Sequence, residues 1–314
     1  MRSLAAKASP RTTGASWIAG LGLAVLALPA CARPTNPPAH PPRVIEIPFN
    51  FRTQQPIVLA RVNGGPWVPF MVDTGSTIHL IDDGAATSTG LSPGSASKLY
   101  GAGESGFEIR YAEPLALEID GAVWEKQRAA VMHLGYPKDK HFAGILGAPI
   151  LMRYAVQFDF AQNVMRLLDP AAYEAPKGAT RVPFKLQDDL PVVSMIVDSG
   201  TGPHEARLMV DTGGGCFVDL NRPFVDKHRL VAATEDEALV KRPGLGGTAP
   251  FLYREGRQVT LGGIAFEKPK LGFSRATSGS SASDERDGVL CNALLIHFSR
   301  VTFDYKRRVL VLEK

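Results

Sequence analysis

The feature that most constrains this chain is that its pattern is written twice. Residues 56–62 form an apolar run, followed by the turn Asn63-Gly64-Gly65-Pro66, a second run over 68–72, and then Asp73-Thr74-Gly75. Residues 191–197, a turn through Asp198-Ser199-Gly200, a run over 206–210 and Asp211-Thr212-Gly213 repeat that order. Gly101-Ala102-Gly103 is answered by Gly244-Leu245-Gly246-Gly247, residues 121–126 by 263–268, and 156–160 by 301–305. The separations Asp73 to Asp211, Gly121 to Gly263 and Phe158 to Phe303 are 138, 142 and 145 residues. A drift that is slow and in one direction is the trace of a duplication with small loop insertions. A period this long means two similar lobes, not a solenoid.

Within each copy, Val, Ile, Phe and Tyr cluster in short runs punctuated by Gly, Pro and Asp, which predicts strands. A total of 31 Gly and 24 Pro suits many tight turns better than long helices. The expected fold class is therefore all-β: two barrel lobes related by pseudo-twofold symmetry, over 44–168 and 181–314. An Ala- and Pro-rich linker at 169–180 joins them. Helices are expected to be few and short, near 147–153, 222–228 and 292–298. Apolar residues at 45% and charged residues at 21% exclude a mostly disordered chain. The net charge is +4 and no basic run interleaves with aromatics, so nucleic acid is not an expected partner.

The first 43 residues read as export machinery. Arg2, Lys7 and Arg11 precede an uncharged stretch, 17–30, that ends at Cys31, a signal-peptide pattern over 1–30. Leu28-Pro29-Ala30-Cys31 resembles a bacterial lipobox, in which the cysteine becomes the lipidated N-terminus; simple signal cleavage nearby is the alternative. Residues 31–43 then form a Pro-rich, semi-rigid tether. The expected location is the bacterial cell envelope, with a membrane partner engaged through lipid on Cys31.

One Asp-Thr-Gly arises by chance in on the order of one chain in fifteen of this length at average residue usage. Two copies, each closing a matching apolar strand and one per lobe, carry far more weight. On these residues the chain resembles the pepsin–retropepsin family of aspartic proteases over about residues 50–314. Phe70-Met71-Val72-Asp73-Thr74-Gly75-Ser76-Thr77 and Leu208-Met209-Val210-Asp211-Thr212-Gly213 match the family's loops, and Gly144-Ile145-Leu146-Gly147 its later apolar element. The resemblance implies Asp73 and Asp211 as a catalytic pair facing each other across the pseudo-twofold axis. It implies support from Thr74, Gly75, Ser76, Thr212 and Gly213, with Ser76 bracing Asp73 through its hydroxyl. The glycine-rich stretches Gly101, Ala102, Gly103 and Gly244, Gly246, Gly247 are expected at or near a flap, with simple turns as the alternative. Two carboxylates about 3 Å apart share one proton, so one can activate water while the other donates to a scissile carbonyl. Such chemistry needs no metal and no cofactor.

The second lobe departs from the pattern twice. Gly214 stands where a hydroxyl residue is expected, and Gly288-Val289-Leu290-Cys291 ends in Cys in place of Gly. Cys216 and Cys291 either pair or remain as buried thiols. Other motifs are weaker. Asp198-Ser199-Gly200 falls where the repeat places a hairpin turn. The seven histidines show no HExxH or comparable ligand spacing. Ser76 lacks a nucleophile elbow. Residues 277–287 read as a solvated loop. The expectation is an exported aspartic endopeptidase acting as a monomer on peptide or protein substrates. The alternative is a non-catalytic peptide-binding envelope lipoprotein with a degenerate second lobe.

Overall fold

The computed structural model describes residues 44–314, apart from 52–53, 92, 136–141 and 232–238. The signal segment, Cys31 and the tether lie outside the described residues. After β1 (Ile45–Pro48), the first lobe contains β2 (Ile57–Val62), β3 (Val68–Val72), β4 (His79–Asp82), α1 (Asp83–Ser88), β5 (Ala96–Tyr100), β6 (Gly106–Ile119) and β7 (Ala122–Met132). It continues with β8 (Gly144–Leu146), α2 (Ala148–Leu151), β9 (Ala155–Asp159) and β10 (Val164–Leu168). Strands β2, β3, β8, β4, β7 and β6 pair in that order, and β6 returns to β2 through Ile119 opposite Ala60, closing a barrel. Alternation sorts the faces: on β2, Val58, Ala60 and Val62 are buried while Leu59 faces out.

The second lobe repeats the path. Its elements are β11 (Thr180–Gln187), β12 (Leu190–Asp198), β13 (Pro203–Asp211), β14 (Val218–Leu220), α3 (Arg222–Lys227), β15 (Val240–Gly244), β16 (Gly247–Glu255) and β17 (Gln258–Leu261). There follow β18 (Ile264–Glu267), β19 (Lys270–Ser274), β20 (Gly288–Cys291), α4 (Asn292–Leu295), β21 (Arg300–Asp304) and β22 (Val309–Glu313). The long strands β6 and β7 of the first lobe are each broken here, into β16 with β17 and β18 with β19. The second break has a clear origin. Lys126 and Lys268 occupy equivalent positions and both have positive φ, 54° and 51°. Gln127 follows the first and the strand continues; Pro269 follows the second and removes a backbone donor. The ring still connects, because β17 pairs with β12 as β6 pairs with β2.

The lobes are joined by one sheet in the order β1-β10-β9-β21-β22-β11. Equivalent strands β9 and β21 lie antiparallel, with Gln157 opposite Thr302 and Phe158 opposite Val301. Equivalent phenylalanines Phe158 and Phe303 meet edge-on at 5.9 Å, so the duplication's symmetry runs through the middle of the core. Buried Asp159 accepts from Arg166 at 3.0 Å and Arg300 at 2.9 Å, one arginine from each copy. The short helices expected near 147, 222 and 292 are present as α2, α3 and α4. One more short helix, α1, lies outside the expected set; Asp82 Oδ1 accepts from Gly84 N at 3.1 Å and caps it.

Candidate active site

Strands β3 and β13 end in the two aspartates, and each is flanked by a parallel strand, β8 or β20, that holds the exit of the loop. Gly75 N donates to Asp73 Oδ1 and Gly213 N to Asp211 Oδ1, both at 2.7 Å, so each carboxylate is aimed by its own loop. Beneath them Thr74 and Thr212 are almost wholly buried. Thr74 Oγ1 donates to Val210 O at 2.7 Å and Thr212 Oγ1 to Val72 O at 2.9 Å. Each hydroxyl also accepts the other threonine's N–H at 3.1 Å. Both hydroxyls and both threonine N–H groups are paired, and all four bonds run between the lobes.

The glycines permit the approach. A Cβ on Gly75 would stand 3.0 Å from Asp211 Cγ, and one on Gly213 would stand 2.5 Å from Asp73 Cγ. Each carboxylate thus lies against the opposite loop, which only a residue without a side chain accommodates. Loss of hydration, and then the charge of Asp211, hold the Asp73 carboxyl well above the usual carboxylate range.

The structure corrects one assignment. Ser76 Oγ donates to Ile78 O at 2.8 Å, so this hydroxyl braces the loop and not the Asp73 carboxylate. Asp198 lies in the turn joining β12 to β13, its Oδ1 accepting from Gly200 N at 2.8 Å. Ala102 and Gly103 lie at the tip of the β5–β6 hairpin, Gly244 and Gly246 at that of β15–β16. The two tips meet: Gly103 N donates to Leu245 O and Ser105 N to Gly246 O, both at 2.8 Å. Leu245 joins Phe107 and Ile78 against an apolar cluster of the first lobe, and Ile78 immediately follows the Asp73 loop.

Three features were invisible in the repeat. Glu104, on the first hairpin, accepts from Thr277 N at 2.5 Å and Thr277 Oγ1 at 3.0 Å, while Ser278 Oγ donates to Glu104 O at 2.7 Å. Asn292 Nδ2 donates to Thr212 O at 2.6 Å and to Gln54 O at 2.7 Å, tying the second loop to the first lobe. Its counterpart Ala148 can do neither. Asp219 is buried where the first lobe has Leu80; it pairs with Arg242 and accepts from Tyr253 Oη at 3.1 Å. Burial raises the Asp219 carboxyl and Arg242 opposes that effect. Cys216 and Cys291 form a disulfide with Cα atoms 5.1 Å apart, which resolves the choice left open by sequence.

An aspartyl protease family model matches residues 58–150, most of the first lobe. In fold, the chain is similar to the aspartic proteinase from Irpex lacteus, with a TM-score of 0.55 and 14% sequence identity, over 87% of this chain and 97% of that one. No curated protein matches the chain in sequence. The family match and the fold support a protease-like function. The first lobe carries the sequence signature of an aspartyl protease family, and the described chain carries the fold of an aspartic proteinase.

Proposed function

We propose that the protein is an aspartic endopeptidase in which Asp73 and Asp211 activate a water between them. The observation that carries this reading is the mutual approach of the two carboxylates over Gly75 and Gly213. Because Asp73 is held above the ordinary range, the pair retains a proton at pH values where isolated carboxylates have lost theirs. One oxygen then takes a proton from the water as it attacks the scissile carbonyl carbon. The protonated carboxyl donates to the carbonyl oxygen, and the amine departs with a proton returned by the pair. The two hairpins act as lids that exclude bulk water and lay an extended peptide across the pair. Each lobe contributes one aspartate, so a single chain is sufficient.

Export to the bacterial envelope and anchoring through lipid on Cys31 belong to the same proposal, supported by the order basic residues, apolar stretch, cysteine, Pro-rich tether. Among the described residues no helix is long and apolar enough to cross a membrane. The decisive assay is cleavage of a broad peptide library by the mature protein, by Asp73→Asn and by Asp211→Asn, with sedimentation of the active species. Cleavage by the wild type alone, as a monomer, supports the proposal. Undiminished cleavage by either variant, or binding without cleavage by all three, overturns it, the latter in favour of a peptide-binding lipoprotein.

A further inference from the structure

The two departures of the second lobe from the first are one exchange. In the first lobe a side chain stands at Ser76 and none at Gly147, and the segments touch through Ala148 N donating to Ser76 O at 2.9 Å. A Cβ at Gly147 would meet Ser76 O at 2.6 Å and Ile78 O at 2.5 Å, so the opposite strand leaves no room for one. In the second lobe Asn292 N donates to Gly214 O at 3.2 Å, making the same contact with the side chains reversed. There is none at Gly214, and Cys291 projects from the opposite strand. A Cβ built on Gly214 would overlap Cys291 Sγ and stand 3.0 Å from Asp211 Oδ2. The sulfur therefore fills, from the other side, the volume flanking the outer oxygen of Asp211.

This sulfur is also a covalent fastening. Cys291 is completely buried and is bonded to Cys216, which lies on the Asp211 loop itself. Ala293 N donating to Cys216 O at 3.2 Å and Cys291 N to Phe217 O at 3.3 Å run beside the bond. Arg242 Nη2 lies 3.9 Å from Cys291 Sγ while its Nη1 is held by Asp219, which closes the outer side of the sulfur. The first lobe holds its loop with the Ser76 hydroxyl; the second has no hydroxyl at the equivalent place.

We propose that the Cys216–Cys291 disulfide is the positioning element for Asp211, replacing the hydroxyl support of the first lobe. Gly214 and Cys291 are interchangeable only as a pair. This inference rests on the proposed proteolysis, but the position of the loop can be read without it. Cys216→Ala removes the cross-link and leaves the Cys291 sulfur in place. Gly214→Ser forces a side chain into that sulfur. Gly214→Ser combined with Cys216→Ala and Cys291→Gly rebuilds the first lobe's arrangement.

Two readouts apply to all three variants: deuterium uptake by peptides spanning 211–217 and 73–78, and kcat and KM on a library-selected peptide. In Cys216→Ala, uptake over 211–217 is expected to rise while 73–78 is unchanged, and kcat to fall at least about tenfold with KM little altered, as for a misplaced catalytic group. Gly214→Ser is expected to do the same or worse. The triple variant is expected to recover both readouts toward wild type. Unchanged uptake and rate in Cys216→Ala overturn the proposal, as does a triple variant no better than Gly214→Ser. If the wild type cleaves no peptide but uptake follows this pattern, the proteolytic reading fails and the positioning of the loop stands.

Discussion

His79 sits at the start of β4, immediately after the Asp73 loop, and is wholly inaccessible to solvent. Its Nδ1 accepts the Gly147 N–H at 3.1 Å, so the neutral ring carries its proton on Nε2 and helps hold the apolar element behind Asp73. Burial, the largest cause, lowers its pKa from 6.5 to about 4. Protonation would set a second N–H against that of Gly147 inside the core. The folded value is depressed and the charged form is the disfavoured one. The unfolded chain therefore takes up this proton first as pH falls. The stabilisation is complete above pH 6.5, declines toward pH 4 and is gone below it. A separation from 6.5 to about 4 corresponds to roughly 3 kcal/mol at about 1.4 kcal/mol per tenfold in proton affinity, a large share of a typical 5–15 kcal/mol. In His79→Asn the amide oxygen can accept from Gly147 without titrating, at a roughly pH-independent cost for the lost ring volume. Denaturant unfolding from pH 7 to pH 4 should show wild type losing about 3 kcal/mol more than the variant, so the gap between them narrows or reverses in acid. Parallel curves for the two proteins would refute the assignment of a neutral, buried His79. The result bears on function, because the Asp73–Asp211 pair is expected to work in the range where this histidine weakens the fold.

The cleavage rate should decline on the alkaline side, once the proton retained by the aspartate pair is lost. A flat pH–rate profile from acid to strongly alkaline conditions would exclude the shared-proton mechanism. Thr212→Val removes the donor to Val72 O and the acceptor of Thr74 N–H, and should cost about 1–3 kcal/mol by chemical unfolding. A loss no greater than that of an exposed Thr→Val control would contradict the role of the crossing. Glu104→Ala removes the carboxylate that accepts from Thr277, and should increase deuterium uptake over 101–105 and 277–280 together. A rise in one segment without the other would mean the hairpin is held elsewhere. Cys31→Ser should abolish labelling by a lipid precursor and release the domain from the membrane fraction; unchanged labelling would refute lipidation there.

The sequence by itself determined the duplication, and with it most of the fold. Paired apolar strands followed by Asp-Thr-Gly can be read locally, because alternation and turn chemistry act over a few residues. The repeat placed both aspartates, both threonines, both hairpin tips and the turn at Asp198. The break between β18 and β19 was also legible in principle, in Pro269 standing where the other copy has Gln127. What only the tertiary structure decided lies where the copies differ. Ser76 turns its hydroxyl to Ile78, a choice fixed by the loop's backbone path. Asn292 reaches Gln54 across some 238 residues of chain, and Glu104 reaches Thr277 across 173, contacts for which neither copy contains a template. Asp219 is a charge in a core position, tolerated because Arg242 and Tyr253 arrive from β15 and β16 to satisfy it. Gly214 and Cys291 read separately as two losses. They become one compensated exchange only when the fold brings their strands together, because shared volume is a property of packing and not of either residue alone.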